Sequence, residues 1–133
     1  MDPMTAAKRW ATTWEEAWPR HDVEAIVALQ SPDGDHYASP FRRYGGPDGL
    51  RRYLVESFAE ETEPTRCRFA EPIVTGRTAA IEYWAIMTTT DGEITLSGCS
   101  VIEFDDDGLA TSVRDYSHTA HGDVPAPLDF IAP

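Results

Sequence analysis

The sequence predicts an α+β fold in which helices come first and an antiparallel meander follows. Three observations predict it. Apolar residues in the first half recur at helical spacing, and from Thr65 onward the period drops to two. Turn residues then separate successive alternating runs. Helices and strands are therefore segregated, as in an α+β layer architecture, and do not alternate as β-α-β units.

The first helix is expected over residues 4–18, where Trp10, Trp14 and Trp18 recur every four residues as one aromatic stripe. Pro19 is expected to end it. Asp22 can cap a second helix over 23–30, with Val23, Ile26, Val27 and Leu29 turned inward. Ser31-Pro32-Asp33-Gly34 is turn chemistry, and a short extended run follows over 35–41. Gly45-Gly46-Pro47 opens a third helix with proline at its first position, and Leu50, Tyr53, Leu54 and Phe58 form its apolar face. Strands are expected over 65–75, 77–90, 93–104 and 109–118. Their turns fall at Gly76, at Asp91-Gly92 and at Asp105-Asp106-Asp107-Gly108. From 118 to 133 an irregular tail is expected, proline-rich after Gly122, whose Leu128, Phe130 and Ile131 either cover the core edge or form a lid.

At 133 residues the chain makes one domain. A formal charge of −12 argues against nucleic acid and against an anionic membrane surface as partners. No apolar run reaches the roughly 18 to 20 residues of a membrane span, and the N-terminus lacks a signal-peptide pattern. Cys67 and Cys99 lie in separate strand runs and read as reduced core thiols, in keeping with a cytoplasmic protein. No Cys/His spacing suits zinc, and no metal, flavin or nucleotide signature is present, so no cofactor is expected.

Hairpin parity sorts the strand residues onto two faces. A two-residue loop at Asp91-Gly92 sets Tyr83 opposite Ser100 and Ala85 opposite Gly98, and the next turn sets Asp115 opposite Ser100 or Gly98. One face then carries Ile81, Tyr83, Ala85, Leu96, Gly98, Ser100, Ile102, Val113 and Asp115. The other carries Glu82, Trp84, Ile86, Cys99, Val101, Arg114, Tyr116 and His118. On the first face small residues surround a carboxylate and a tyrosine. Such a centre leaves volume unfilled and suits a pocket with a few polar groups. A buried carboxylate is costly, so Asp115 implies either chemistry or a satisfied structural partner. Trp14 and Phe58 join the candidate lining from the helices. On the second face Arg114 is expected to pair with Glu82, and Trp84 with Tyr116 forms an aromatic patch suited to a second copy of the chain. Arg42 and Arg43 are candidates for the pocket mouth, with solvated surface as their default.

Residues 21–29, the segment Tyr37-Ala38-Ser39-Pro40-Phe41, the helix start Gly45-Gly46-Pro47-Asp48-Gly49-Leu50 and the closing Val113-Arg114-Asp115-Tyr116 together resemble the nuclear transport factor 2-like superfamily. The likeness is to its SnoaL-like and ketosteroid-isomerase-like branches and covers nearly the whole chain. It implies a cone, with a curved antiparallel sheet wrapped around the first helix, and commonly a homodimer, here through the outer sheet face. Steroid isomerases of this superfamily place a base aspartate before a proline, a tyrosine on the first helix and a protonated aspartate on the penultimate strand. Those positions hold Ser39, Trp14 and Ser100, so steroid isomerisation by that route is not implied. SnoaL-like cyclases are similar in using a late-strand aspartate as acid/base, and that position is Asp115. The Asp-Arg-Asp set of limonene-type epoxide hydrolases is not found, nor the Tyr-His-Asp set of scytalone-type dehydratases.

Two functions stay open. One is a small enzyme on which Asp115 moves a proton on an apolar, oxygenated metabolite, with Tyr37, Ser39, Tyr83 and Ser100 orienting its oxygens and Trp14, Phe58, Gly98 and Val113 shaping its seat. The other is a non-catalytic binding or association module with the same fold. It predicts an Asp115 tied up by internal hydrogen bonds and a small or closed cavity.

Overall fold

The computed structural model describes residues 1–127, and the expected lid residues Leu128, Phe130 and Ile131 lie outside them. Its elements run α1 (Pro3–Arg20), α2 (Val23–Val27), β1 (Gln30–Ser39), β2 (Arg42–Gly45), α3 (Gly46–Phe58), β3 (Glu63–Phe69), β4 (Ile73–Thr75), β5 (Thr78–Thr89), β6 (Gly92–Phe104) and β7 (Ala110–His121). The strands form one sheet in the order β2-β1-β7-β6-β5-β3, with β4 also on β5. The fold is the α+β arrangement expected, but the sheet is mixed, because β1 lies parallel to β7.

Asp2 starts α1 by accepting from the backbone amides of Met4 and Thr5 at 3.2 and 3.1 Å. Pro19 does not end the helix as expected. Helical backbone continues through it to Arg20, and His21 closes the helix in the left-handed region at φ 52°. Proline removes the amide that would bond the Glu15 carbonyl. The Cys67 thiol takes that place, its sulfur 3.7 Å from the same oxygen. α2 is shorter than expected and β1 correspondingly longer, with Gln30 opening the strand.

The expected strand over 65–75 is split. β3 and β4 both pair with β5, and the break at Ala70-Glu71-Pro72 falls where proline cannot donate to the ladder. The β5–β6 hairpin closes on the Thr89–Gly92 pair, so Thr90 and Asp91 form the loop. Tyr83 therefore faces Gly98, and Ser100 faces Ile81. The register differs from expectation by two residues, which leaves every side chain on its expected face. Asp115 lies opposite Ser100. β7 continues as regular strand to His121, past the expected start of the tail. Arg114 pairs with Glu103 at 3.5 Å, and not with Glu82, which stands beside Cys99.

α1 and α3 cover the inner face. Trp10 packs with Ala6, Ala7, Ile81, Ile102, Phe104 and Val113 at one end. Trp18 packs with Ile26, Leu50, Leu54, Phe58, Tyr83 and Ala85 at the other. Trp14 touches both groups and is only partly buried. The tryptophan stripe thus spans the two halves of the core and leaves a hollow beside its middle.

Candidate active site

That hollow is a cavity of about 250 Å³ between α1, α3 and the sheet. Trp10, Trp14, Trp18, Phe58 and Phe69 make its apolar walls. The Trp10–Trp14 and Trp14–Trp18 ring centroids are each 5.7 Å apart, so the stripe is a continuous aromatic surface. Three polar groupings interrupt it: Asp115 with Tyr83, Ser100 and Ser117; His36 with Tyr53, Ser57 and Arg42; and Glu61 with Glu60 at the α3–β3 connection.

Asp115 is carried inward by β7. The Tyr83 hydroxyl lies 2.8 and 2.9 Å from its two carboxylate oxygens, so one phenol proton serves both. Ser100 donates to Oδ1 at 3.1 Å, and Ser117 also donates to the carboxylate. Among the described residues no cation pairs with it. Burial pushes the Asp115 carboxyl above the usual range, and the three hydroxyls only partly offset that rise. Tyr83 is held protonated, first by burial and then by the Asp115 charge. Its ring lies 5.3 Å from Phe69 and 6.1 Å from Trp18, which fixes the hydroxyl over the carboxylate.

Gly98 supplies the room for this pair. A Cβ there would come within 2.3 Å of the Tyr83 hydroxyl oxygen. Gly98 therefore seats the tyrosine ring and does not line the cavity, a correction to its expected role. Val113 is likewise core, 3% exposed, and not cavity wall. Tyr37 and Ser39 do not line the cavity either. They alternate with His36 and Ala38 on β1, and it is His36 and Ala38 that border it. Ser39 Oγ accepts from the Phe41 amide at 3.2 Å. Trp14, Phe58, Tyr83, Ser100 and Asp115 are brought together around the space. Arg42 reaches the cavity, while Arg43 binds Asp35 at 2.8 Å outside it.

Sequence reasoning missed His36, Tyr53 and Glu61. His36 already lay in the expected extended run, on the parity opposite to Tyr37 and Ser39, so the other face of that run was its signal. Burial lowers His36 to about 4, so its ring is neutral near pH 7. Tyr53 is pushed up to about 12 by burial and then by the Asp115 charge. The Glu61 carboxylate, 4% exposed, accepts from Trp18 Nε1 at 3.2 and 3.1 Å, from His21 Nε2 at 3.2 Å and from the Thr65 hydroxyl. Among the described residues no group of three or more metal-ligating side chains is placed to hold an ion. No described helix is long and apolar enough to cross a membrane.

A family model described as the SnoaL-like domain matches residues 11–113. No curated protein matches the chain by sequence. Solved structures match it by shape. The epoxide hydrolase/cyclase-like enzyme SalBIII, from pyran ring formation in the polyether salinomycin, is 16% identical over 88% of this chain and 93% of its own, with a TM-score of 0.74. A nuclear transport factor 2-like protein of unknown function from Exiguobacterium sp. 255-15 is 14% identical over 85% and 98%, with a TM-score of 0.71. A protein with a ketosteroid isomerase-like fold from Catenulispora acidiphila DSM 44928, in complex with trimethylamine, is 17% identical over 79% and 82%, with a TM-score of 0.69. At such identities the likeness is one of fold, and activity rests on the site.

Proposed function

The chain belongs to the SnoaL-like domain family, and from its cavity we propose an acid/base enzyme of the cyclase, isomerase or hydratase type acting on an apolar, oxygenated small molecule. One observation carries this. A carboxylate sits inside an aromatic cavity, compensated by hydroxyls and by no described cation. A structural aspartate in that position is usually paired with a cation or given backbone amides. Asp115 keeps a raised affinity for a proton and faces space that a substrate can enter.

In this mechanism the Asp115 carboxylate takes a proton from a carbon next to a carbonyl, or from a hydroxyl. The acid so formed returns the proton at a second position. The sequence is redox-neutral and leaves Asp115 as it began. Protonating Asp115 weakens its hold on the Tyr83 proton. The phenol can then donate to the oxygen on which negative charge develops, with Ser100 and Ser117 keeping the carboxyl aligned. The aromatic walls exclude water and hold an apolar ring system.

A second reading is favoured by a different observation: Tyr83 spans both Asp115 oxygens, so the carboxylate is already satisfied. In that case the cavity binds a ligand without turning it over. Native mass spectrometry of freshly purified protein, with extraction of any retained compound, supplies the molecule for the deciding assay. Asp115→Asn is expected to abolish its conversion while the protein stays folded and still binds it. Conversion at the wild-type rate by the variant refutes the enzyme.

We also propose a homodimer through the outer sheet face, supported by Tyr116, which is 47% exposed there. Sedimentation should show a dimer that Tyr116→Arg weakens. A monomeric wild type ends this proposal.

A further inference from the structure

His36 takes no part in the proton transfer proposed for Asp115. Its residue is 5% exposed, it borders the cavity, and its ring packs on Tyr53 with centroids 4.8 Å apart. Nε2 is sealed from solvent and has no hydrogen-bond partner among the described residues. More than about 90% of buried polar groups are paired, so the sealed Nε2 calls for a partner on its own side of the ring, whereas Nδ1 is not sealed, carries no hydrogen bond among the described residues, and is the nitrogen that a molecule in the cavity can meet. The neutral ring offers one N–H and one lone pair. Asp115 on β7, Arg42 on β2 and Tyr53 on α3 share the cavity with it, and none bonds to it.

One internal competitor exists. Gln30 Oε1 is also buried without a partner among the described residues, and Gln30 and His36 border a separate space of about 10 Å³. That is about the space of one water, which could bridge the two side chains. Such a bridge takes Nε2 and leaves Nδ1 to the cavity.

Strand register places His36 relative to the acid. β1 runs parallel to β7 with His36 beside Val113, and Asp115 is two residues further along the same face. One strand spacing and one two-residue step separate their Cα atoms by about 8 Å. The aromatic walls lie alongside both.

We propose that His36 is a ligand-binding residue, and that the cavity takes a flat cyclic molecule with two oxygen functions, one met by Asp115 and Tyr83 and the other by the His36 imidazole. This rests on the reading of the cavity as a small-molecule site, and not on Asp115 being catalytic. A cavity of about 250 Å³ suits one or two fused rings.

The test uses two fluorescent probes, 1,5-dihydroxynaphthalene and 1-naphthol, titrated into wild type, His36→Phe, His36→Gln and Asp115→Asn. Wild type should bind the dihydroxy probe about tenfold more tightly, as expected for one extra hydrogen bond of about 1.4 kcal/mol. His36→Phe should erase that preference while keeping 1-naphthol affinity, and His36→Gln should retain part of it. In 15N-labelled protein the His36 imidazole nitrogens should shift with the dihydroxy probe and stay in place with 1-naphthol. This readout needs no variant to fold. Equal loss of both probes in His36→Phe, a preference that survives it, or unmoved imidazole signals overturns the proposal. If wild type binds neither probe, the small-molecule reading of the cavity falls and takes this one with it. A preference that depends on His36 while Asp115→Asn converts the natural ligand normally supports the binding role and refutes only the catalytic one.

Discussion

Gly98→Ala should displace Tyr83 and unseat the bond that holds Asp115. The added Cβ would lie 2.3 Å from both the ζ carbon and the hydroxyl oxygen of Tyr83, and 2.6 Å from its ε1 ring carbon. Non-bonded carbons settle at about 3.5–4.0 Å, so the ring has to retreat by more than 1 Å. Trp18 and Phe69 flank it, so it cannot do so freely. Overpacking of this kind costs about 1–3 kcal/mol. A lost hydrogen bond to a carboxylate adds about 1.5–3 kcal/mol. Replacing a strand glycine returns about 0.5–1 kcal/mol of backbone entropy. The net destabilisation is about 2–5 kcal/mol, measurable as a shift in the urea midpoint. Tyr83→Phe separates the two costs. The ring still blocks the methyl group in that background, but no hydrogen bond remains to lose. Gly98→Ala and Tyr83→Phe should therefore be sub-additive by about 1.5–3 kcal/mol. A Gly98→Ala protein within about 0.5 kcal/mol of wild type, or strict additivity of the pair, refutes the wedge between Gly98, Tyr83 and Asp115.

Three further outcomes are expected. His36 is neutral when folded, and its value falls from 6.5 to about 4. The unfolded chain then binds the extra proton between those values, and stability drops by about 3 kcal/mol as pH falls through that window. Denaturation curves of His36→Phe should lack this loss; an unchanged acid slope counts against the buried neutral ring. Asp115 has the opposite sign. Its folded value is raised, so the native state holds more proton and wild-type stability falls as pH rises from about 4 towards that value. Asp115→Asn should gain relative to wild type over that range, and a gap that moves the other way would show that the carboxylate is stabilised in place. Glu61→Gln turns one of the two oxygens facing Trp18 Nε1 into a donor. It should cost about 1–3 kcal/mol by urea titration, and a neutral result would mean that the carboxylate is not the acceptor of these bonds.

The order of elements was legible, apart from β2 and the separate β4, wherever an element rests on a local signal. The tryptophan spacing gives α1, Pro47 opens α3 and Asp91-Gly92 marks the β5–β6 turn. What failed were features settled by tertiary partners. Proline at position 19 is a stop signal by itself, but the thiol of Cys67, 48 positions later, supplies the donor that proline lacks. The parallel pairing of β1 with β7 joins strands far apart in sequence, and no turn residue announces it. The break between β3 and β4 was open to inspection at Pro72, where a ladder donor is missing.

The site divides along the same line, because parity and register carry different information. A slip of two residues leaves a side chain on its face but changes its neighbours. Asp115 was therefore readable: its place on the inner face survives the slip, and a carboxylate is conspicuous wherever it is buried. Gly98 was not. Glycine on an inner face reads equally as open volume or as a berth for a large neighbour, and the difference is whether Tyr83 stands opposite it. The observed register puts it there, so the small residue at the centre of the sheet builds the acid's hydrogen-bond partner into place. His36 was hidden for a third reason. Histidine is ordinary in cores and on surfaces alike, and its significance here is a buried ring that borders the cavity with no hydrogen-bond partner among the described residues. That is a property of the surrounding residues, not of the histidine's own place in the chain.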